Sequence, residues 1–379
     1  MEWDFDRVID RRSSDSIKWG RFRDRDVLPL WVADMDFAVA EPIQEAIEAR
    51  ARHGVFGYAA VPQSLLDAAQ EWLARRWDWD VSKSHFVALP AVIPGANFAV
   101  RALASRGPVH LTWPQPLYHP LAQVAENQAL PATPFPLDSS GQWDLASLDR
   151  AIASGANTLL LSNPHNPIGS RFDEAACRAL AARIQRHRLW VISDDIHGDI
   201  LLEKGARHRP LAKLCPEISE RVITLISPGK AFNLAGLPFA LAVVPCTEMR
   251  RQLKSTLRGN VPAGNVVAMA AAEAAYRYGE PWLEAMLDYL RGNLALLEQR
   301  IAGMEGITLV RPDATYLAWL DCRGKGWDKP GRVLESFGLG LSDGSEFSAP
   351  SGFARLNFGC PRATLEAALE RLDHAVASG

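Results

Sequence analysis

A chain of 379 residues with 48% hydrophobic and 22% charged side chains is larger than one hydrophobic core usually organises, which excludes a disulfide-stapled miniature and a disordered chain. Its 41 Lys and Arg against 44 Asp and Glu leave a net charge of -3, so no general positive field exists to hold nucleic acid or an anionic membrane. Five scattered cysteines without C-x-x-C spacing argue against a disulfide framework or a zinc cluster and for a reducing, cytoplasmic setting.

The first stretch, to about Glu45, shows no sheet pattern and is expected to pack on a smaller unit or on a partner subunit. It is acidic and lacks an apolar signal core, and the apolar runs, Gly236–Val244 included, fall short of the roughly 18 residues a membrane span needs. From Leu65 onward, helix-period segments alternate with short apolar runs. Helices are predicted over Ser64–Trp77, where Ser64 and Asp67 form a capping-box pattern, then Ala96–Ser105, Asp173–His187, Pro262–Tyr278 and Trp282–Ala302. Strands are predicted over Val109–Thr112, Thr158–Ser162, Leu189–Ser193, Val222–Ile226 and Phe239–Val244. These runs are short and mostly buried in character, as in strands covered on both faces, and they predict a wound parallel sheet. After Gly279 the pattern changes to a long helix, then Ile307–Val310, Tyr316–Asp321, Leu356–Phe358 and a last helix from Pro361, which reads as a smaller α+β unit. The expected division is residues 46–280 for the large α/β domain and 1–45 with 281–379 for the small one, with a hinge at Tyr278-Gly279-Glu280-Pro281.

Open α/β sheets place their sites at the carboxyl ends of strands, and three polar clusters stand there. The first, Ser162-Asn163-Pro164-His165-Asn166-Pro167-Ile168-Gly169, is a proline-fixed turn that aims amide side chains. The second, Ser193-Asp194-Asp195-Ile196-His197, puts a carboxylate at the end of a buried strand, which is costly without a cation or donors. Asp194, Asp195 and His197 match no specific metal signature, so no metal is expected. In the third, Ser227-Pro228-Gly229-Lys230-Ala231-Phe232-Asn233, Lys230 is the only charge between Arg221 and Glu248. Desolvation there lowers an ammonium pKa from about 10.4 and suits Schiff-base chemistry. A phosphate loop of the G-x-x-x-x-G-K-[ST] type is excluded by Thr224 and Ala231. A desolvated lysine, a strand-end carboxylate and an asparagine loop are the parts needed to hold pyridoxal 5'-phosphate.

With Pro29–Phe37, Gly54–Tyr58, Ala314–Cys322 and Arg355–Arg362 added to these clusters in order, the chain resembles the fold-type I pyridoxal-phosphate enzymes. Within their class I/II aminotransferase-like family it is similar to the C–S lyase subgroup, the cystathionine β-lyases related to the maltose-regulon modulator. The resemblance implies a large domain with a mostly parallel, seven-stranded-type sheet between helices, a smaller α+β domain, and a homodimer with shared active sites. It implies that Lys230 carries the cofactor and moves the Cα proton, that Asp194 pairs with the pyridinium nitrogen, and that Asn166 bonds the ring hydroxyl with His197 nearby. Tyr118 matches the aromatic that stacks on the ring, and Gly95 and Ala96 match the phosphate cup. Tyr58 matches a tyrosine reaching the neighbouring subunit's phosphate, and Arg355 the arginine that binds the substrate carboxylate. The sequence departs from the family at Gly229 and Ala231, where hydroxyl residues usually flank the lysine, leaving Ser227 to bond the phosphate. It departs again at Asp195 and at His119, which is expected to alter leaving-group preference. The expected activity is β-elimination from an L-amino acid with sulfur at Cβ, such as L-cystathionine. An aminotransferase, or a regulatory protein that keeps the cofactor, are the other readings.

Overall fold

The central sheet of the computed structural model, which describes residues 3–138, 141–262 and 264–378, has six named strands. They are β1 (Phe86–Leu89), β2 (Leu111–Thr112), β3 (Thr158–Ser162), β4 (Trp190–Asp194), β5 (Val222–Ile226) and β6 (Ala240–Val243), in the spatial order β1-β6-β5-β4-β3-β2. All pairings are parallel except those of β6, which runs against both β1 and β5. A seventh position beside β2 is filled by residues 131–137. Thr133, Phe135 and Leu137 donate to the carbonyls of Leu111, Trp113 and Gln115 at 2.9, 2.9 and 3.0 Å. Pro134 and Pro136 take the intervening positions, whose amides an edge strand turns away from its neighbour, so the prolines cost no ladder bond there.

The sheet is covered on both faces, as its mostly apolar strands require. Leu159, Leu161 and Val191 enter one core, while Leu160 and Ile192 enter the other, because successive strand residues point to opposite sides. One face is covered by α3 (Val92–Ala104) and α5 (Thr247–Leu257), the other by α4 (Glu174–His187), α6 (Val266–Tyr278) and the flanking helices α1 (Glu41–His53) and α2 (Gln63–Trp77). Asp173 caps α4 by accepting the Ala176 amide at 2.6 Å, in agreement with the sequence. The capping box at Ser64 does not form. Helix α2 starts one residue earlier behind Pro62, and the Ser64 hydroxyl instead donates to Glu273 at 2.9 Å. Helix α3 begins four residues before the expected Ala96, which matters for the site below.

After Gly279, α7 (Glu280–Ile301) leads to an antiparallel sheet of β7 (Thr308–Val310), β8 (Leu317–Asp321), β9 (Ser342–Asp343) and β10 (Phe353–Asn357), ordered β7-β8-β10-β9, with α8 (Arg362–Ser378) closing the chain. The N-terminal segment packs on this unit, Leu28–Pro29 pairing in parallel with Leu339–Gly340. A division between residues 45 and 46 would cut α1 in mid-helix.

What anchors the N-terminal segment is an ionic knot in an apolar setting. Lys18 has no exposed surface, and its Nζ lies 2.7 Å from Asp36, which also accepts from Arg11 at 2.7 Å and from the Trp19 indole at 2.9 Å. Burial works against the Asp36 carboxylate, but the Lys18 charge, the hydrogen bonds of Lys18 and Trp19, and Arg11 outweigh it, so its pKa lies below the ordinary value. Removing Lys18 takes from the buried Asp36 carboxylate its closest charge and leaves it Arg11 and Trp19 alone. Lys18→Met is expected to destabilise the fold by about 3 kcal/mol in urea denaturation, and a loss below about 1 kcal/mol would show that the knot is a solvated surface pair.

Candidate active site

The register of the parallel strands brings the three clusters together. Asp194, the last residue of β4, is level with Ser162 at the end of β3 and with Leu225 near the end of β5. The loops that follow these strands therefore leave the sheet side by side. They open into a cavity of about 230 Å³ lined by Asn166, Asp194, His197, Ser227 and Lys230, by Tyr118, and by the start of α3.

Lys230 donates from Nζ to the carbonyl of Ala33. Burial pushes its ammonium down to about 8, opposed by the charge of Asp34, reinforced by Arg355 and opposed again by Asp194. Asp194 is buried and accepts one hydrogen bond, from the Ile196 amide at 3.1 Å. Desolvation lifts it to about 7; the Ile196 bond works against the rise, Asp195 adds to it, and Lys230 opposes it. A cation set against this carboxylate is the partner it lacks. His197 is buried with Nδ1 unpartnered, and burial, Lys230 and Arg355 press it down to about 3, so it is a neutral group. Asp195 turns away from the cavity, accepting from Ser193 and lying 2.6 Å from His208. Asp195 thus points away from the cavity that Asp194 and His197 both line.

Arg355 lies in β10, paired with Trp319 and Ser342, and is only 4% exposed. It donates to the Asn166 side-chain oxygen at 2.8 Å and to the Trp31 carbonyl at 2.9 Å, and its guanidinium lies 4.5 Å above the Phe347 ring. Its Nε has no partner. Tyr118 is partly buried and fixed by its amide, which donates to the Asn166 carbonyl at 3.0 Å. The exposed His119 beside it lies edge-on to Tyr118 and Phe347, with centroids at 5.5 and 6.3 Å.

Two expected assignments change. Gly95 and Ala96 lie too deep in α3 to form an anion cup: the Gly95 amide already donates to Ala91 at 2.9 Å, and neither residue lines the cavity. The amides left without an intrahelical acceptor are those at the true start of the helix, Val92 and Ile93, which do line it. The Ser227 hydroxyl donates to Phe239 at 2.7 Å and accepts from the Gly229 amide at 3.0 Å, so an anion there competes with Phe239 for its proton. Tyr58 stands apart, 107% exposed, next to exposed Val55 and Phe56.

The sequence reading placed Pro29–Phe37 among the family-like stretches but gave residues 31–37 no role at the site, where they form a strap. Its carbonyls hold Lys230, Arg355, the Tyr316 hydroxyl on Ala33 at 3.0 Å, and the Asn357 amide on Val32 and Asp34 at 2.6 Å each. Asn233 clamps it from the other side, accepting from the Met35 amide at 3.1 Å and donating to Met35 and Phe37 at 3.0 and 2.8 Å. The available signal was an asparagine three residues after the lysine, a residue type that tolerates the positive φ of 55° it adopts here.

An amine that loses its proton near neutrality, a buried carboxylate awaiting a cation, an aromatic wall and a helix start awaiting an anion fit a flat, protonated heteroaromatic ring with an anionic arm. The residues present fit pyridoxal phosphate.

The family model for aminotransferase class I and II matches residues 25–372. The chain is 33% identical to cystathionine beta-lyase PatB of Bacillus subtilis, over 98% of this chain and 99% of the relative. The crystal structure of OvoB is 40% identical, with a TM-score of 0.95 and 100% of both chains covered. The pyridoxal-phosphate-bound C–S lyase of Staphylococcus hominis is 27% identical, with a TM-score of 0.90 over 99% of this chain and 98% of the other.

In the cofactor-free protein, Lys230 is expected to react with an amine-specific reagent half-maximally near pH 8, faster with rising pH, whereas exposed lysines require about pH 10.4. Asp34→Asn removes a charge that favours the ammonium and should move the midpoint lower. Peptide mapping of the modified residue against pH reads both, and a midpoint near 10 would mean that the amine is solvated.

Proposed function

The chain belongs to the class I and II aminotransferase family, and we propose that this protein is a pyridoxal-phosphate-dependent carbon–sulfur β-lyase. Its fold is type I of the pyridoxal-phosphate enzymes. The reaction joins L-cystathionine, or a related cysteine S-conjugate, with water and yields a thiol, pyruvate and ammonia. The observation that carries this reading is the desolvated amine of Lys230 sharing one cavity with Asp194 and Asn166, in a chain 33% identical along its length to a cystathionine beta-lyase.

Lys230 would hold the cofactor covalently, Asp194 its ring nitrogen, Asn166 its ring hydroxyl with neutral His197 beside it, and Tyr118 its ring face. The Val92 and Ile93 amides with Ser227 would take the phosphate. When bound, the cofactor supplies an electron sink for bonds breaking at the substrate Cα. Arg355, with Nε free, grips the substrate carboxylate as a bidentate fork. Lys230 takes the Cα proton in its neutral form. The C–S electron pair leaves with sulfur, and the strap holds Lys230 and Arg355 in place through its carbonyls.

Incubation of the cofactor-loaded protein with L-cystathionine is expected to give thiol, pyruvate and ammonia in equal amounts, and Lys230→Ala should abolish all three while leaving the fold intact. Turnover that requires an added keto acid and releases no thiol would make it an aminotransferase. A protein that retains its cofactor, turns over neither and is captured with a partner would support the regulatory reading.

The active unit in this reading is a homodimer, in which the exposed Val55, Phe56 and Tyr58 meet the neighbouring subunit and Tyr58 reaches its phosphate. The five cysteines are free, and a reducing cytoplasm suits them. Tyr58→Ala and Lys230→Ala chains, each inactive alone, should regain activity when unfolded and refolded together, because a mixed pair contains one site with both native residues. No recovery in confirmed mixed dimers would mean that each subunit builds its own site.

A further inference from the structure

The chemistry above leaves one buried titratable side chain of the asparagine loop without a task. His165 has no exposed surface, and its Nε2 lies 2.7 Å from the carbonyl of Pro116, two residues before Tyr118. A carbonyl can only accept, so Nε2 carries the proton. Nδ1 is then a bare lone pair, buried beside the Ser162 backbone without a well-formed hydrogen bond among the described residues. An unpartnered buried acceptor costs about 1–3 kcal/mol, so an imidazole is a poor choice for filling space alone. Burial holds the ring pKa down at about 4, which keeps the ring neutral and the single N–H in place through neutral pH.

The contact is one of three that fix the same short stretch. Tyr118 donates its amide to the Asn166 carbonyl at 3.0 Å, and Leu117 donates to the Phe347 carbonyl at 3.1 Å. Pro116 has no amide to give, and its carbonyl is held by His165. The donor itself is fixed, since the His165 amide donates to Ser170 at 2.9 Å, its carbonyl accepts from Gly169 at 2.6 Å, and its ring lies edge-on to Phe172 at 5.8 Å. His165 is the one side-chain donor among these three contacts.

We propose that His165 is a positioning residue that sets the plane of Tyr118 by tying Pro116 to the asparagine loop, so that one loop carries the ring-hydroxyl ligand and aims the stacking aromatic. The inference rests on the reading of Tyr118 given under Proposed function. Its chemistry is that of a single neutral donor acting through Tyr118, with no contact of its own to substrate.

The test uses purified full-length protein and pyridoxal phosphate itself, reading the cofactor dissociation constant, the absorption spectrum of the bound cofactor, and kcat and KM separately. His165→Phe keeps a ring but loses the donor, and His165→Asn carries an amide too short to reach Pro116. Each is expected to bind the cofactor about five- to tenfold more weakly and to shift its spectrum, part of what an aromatic stacking contact contributes. His165→Gln, whose amide nitrogen stands near the place of Nε2, should restore both. A purely structural histidine would lower the melting temperature and leave affinity and spectrum per folded molecule unchanged, which would overturn the proposal. Tyr118→Leu separates it from the reading beneath. If that variant binds the cofactor normally, the assignment of Tyr118 fails; if it binds weakly while His165→Phe and His165→Asn bind normally, only the role of His165 fails.

Discussion

Asp194 ends β4 level with Ser162 on one neighbour and Leu225 on the other, and everything functional in this molecule follows from that register. Slipping β4 by one residue would send its apolar side chains to the opposite faces of the sheet, exchanging Val191 and Ile192 between the two cores. Hydrophobic burial on both faces therefore fixes where the carboxylate emerges. The same burial strips the carboxylate of water. A group whose position is set by apolar packing is thereby made to need a cation, and the cavity beside it supplies room for one.

The lysine faces the mirror problem. Burial weakens its ammonium while Asp34 and Asp194 support it and Arg355 opposes it. Near pH 8 the balance leaves an amine that is a nucleophile and a base at small cost, which no exposed lysine achieves. Asp34 acts at this point because Arg11 holds it at 2.9 Å, in the same ionic knot that contains Lys18 and Asp36. The N-terminal segment thus carries an electrostatic role as well as a mechanical one.

How much of this could be read from the sequence depends on whether the signal was local. Strands β3 and β5 match their predicted bounds because short, mostly apolar runs of five residues, closed by turn chemistry, admit one interpretation. That Lys230, Asp194 and Asn166 meet in one cavity was legible because each stands at or just after the end of such a strand. The start of α3 was not: Ala91 offers no capping side chain, and Pro94 sits within the first turn, so the periodicity was read from Ala96 and the anion cup was placed one turn too deep. The Ser64 capping box failed because Glu273, 209 residues away, took the hydroxyl. Residues 131–137 showed no strand pattern because their prolines occupy the amide positions that an edge strand does not use. The strap at 31–37 was singled out only for its resemblance, and its role at the site was hidden for a different reason. Its contribution is made by backbone carbonyls, which carry no residue-specific signal.

The strap also explains why the site has to be considered as a joint between the two sheets. Arg355 comes from β10 and Asn166 from the loop after β3, and they are bonded to each other at 2.8 Å. Ala33 accepts from Lys230 of the central unit and from Tyr316 beside β8. Any rotation of the smaller sheet away from the larger one must break the arginine–asparagine bond and pull on the Ala33 carbonyl. A substrate carboxylate seated on Arg355 would therefore report to the ring-hydroxyl ligand and to the catalytic amine through the same set of bonds. In the proposed reading, recognition of the substrate and readiness of the base are coupled by the side chains of Arg355, Asn166, Lys230 and Tyr316 and one short stretch of backbone.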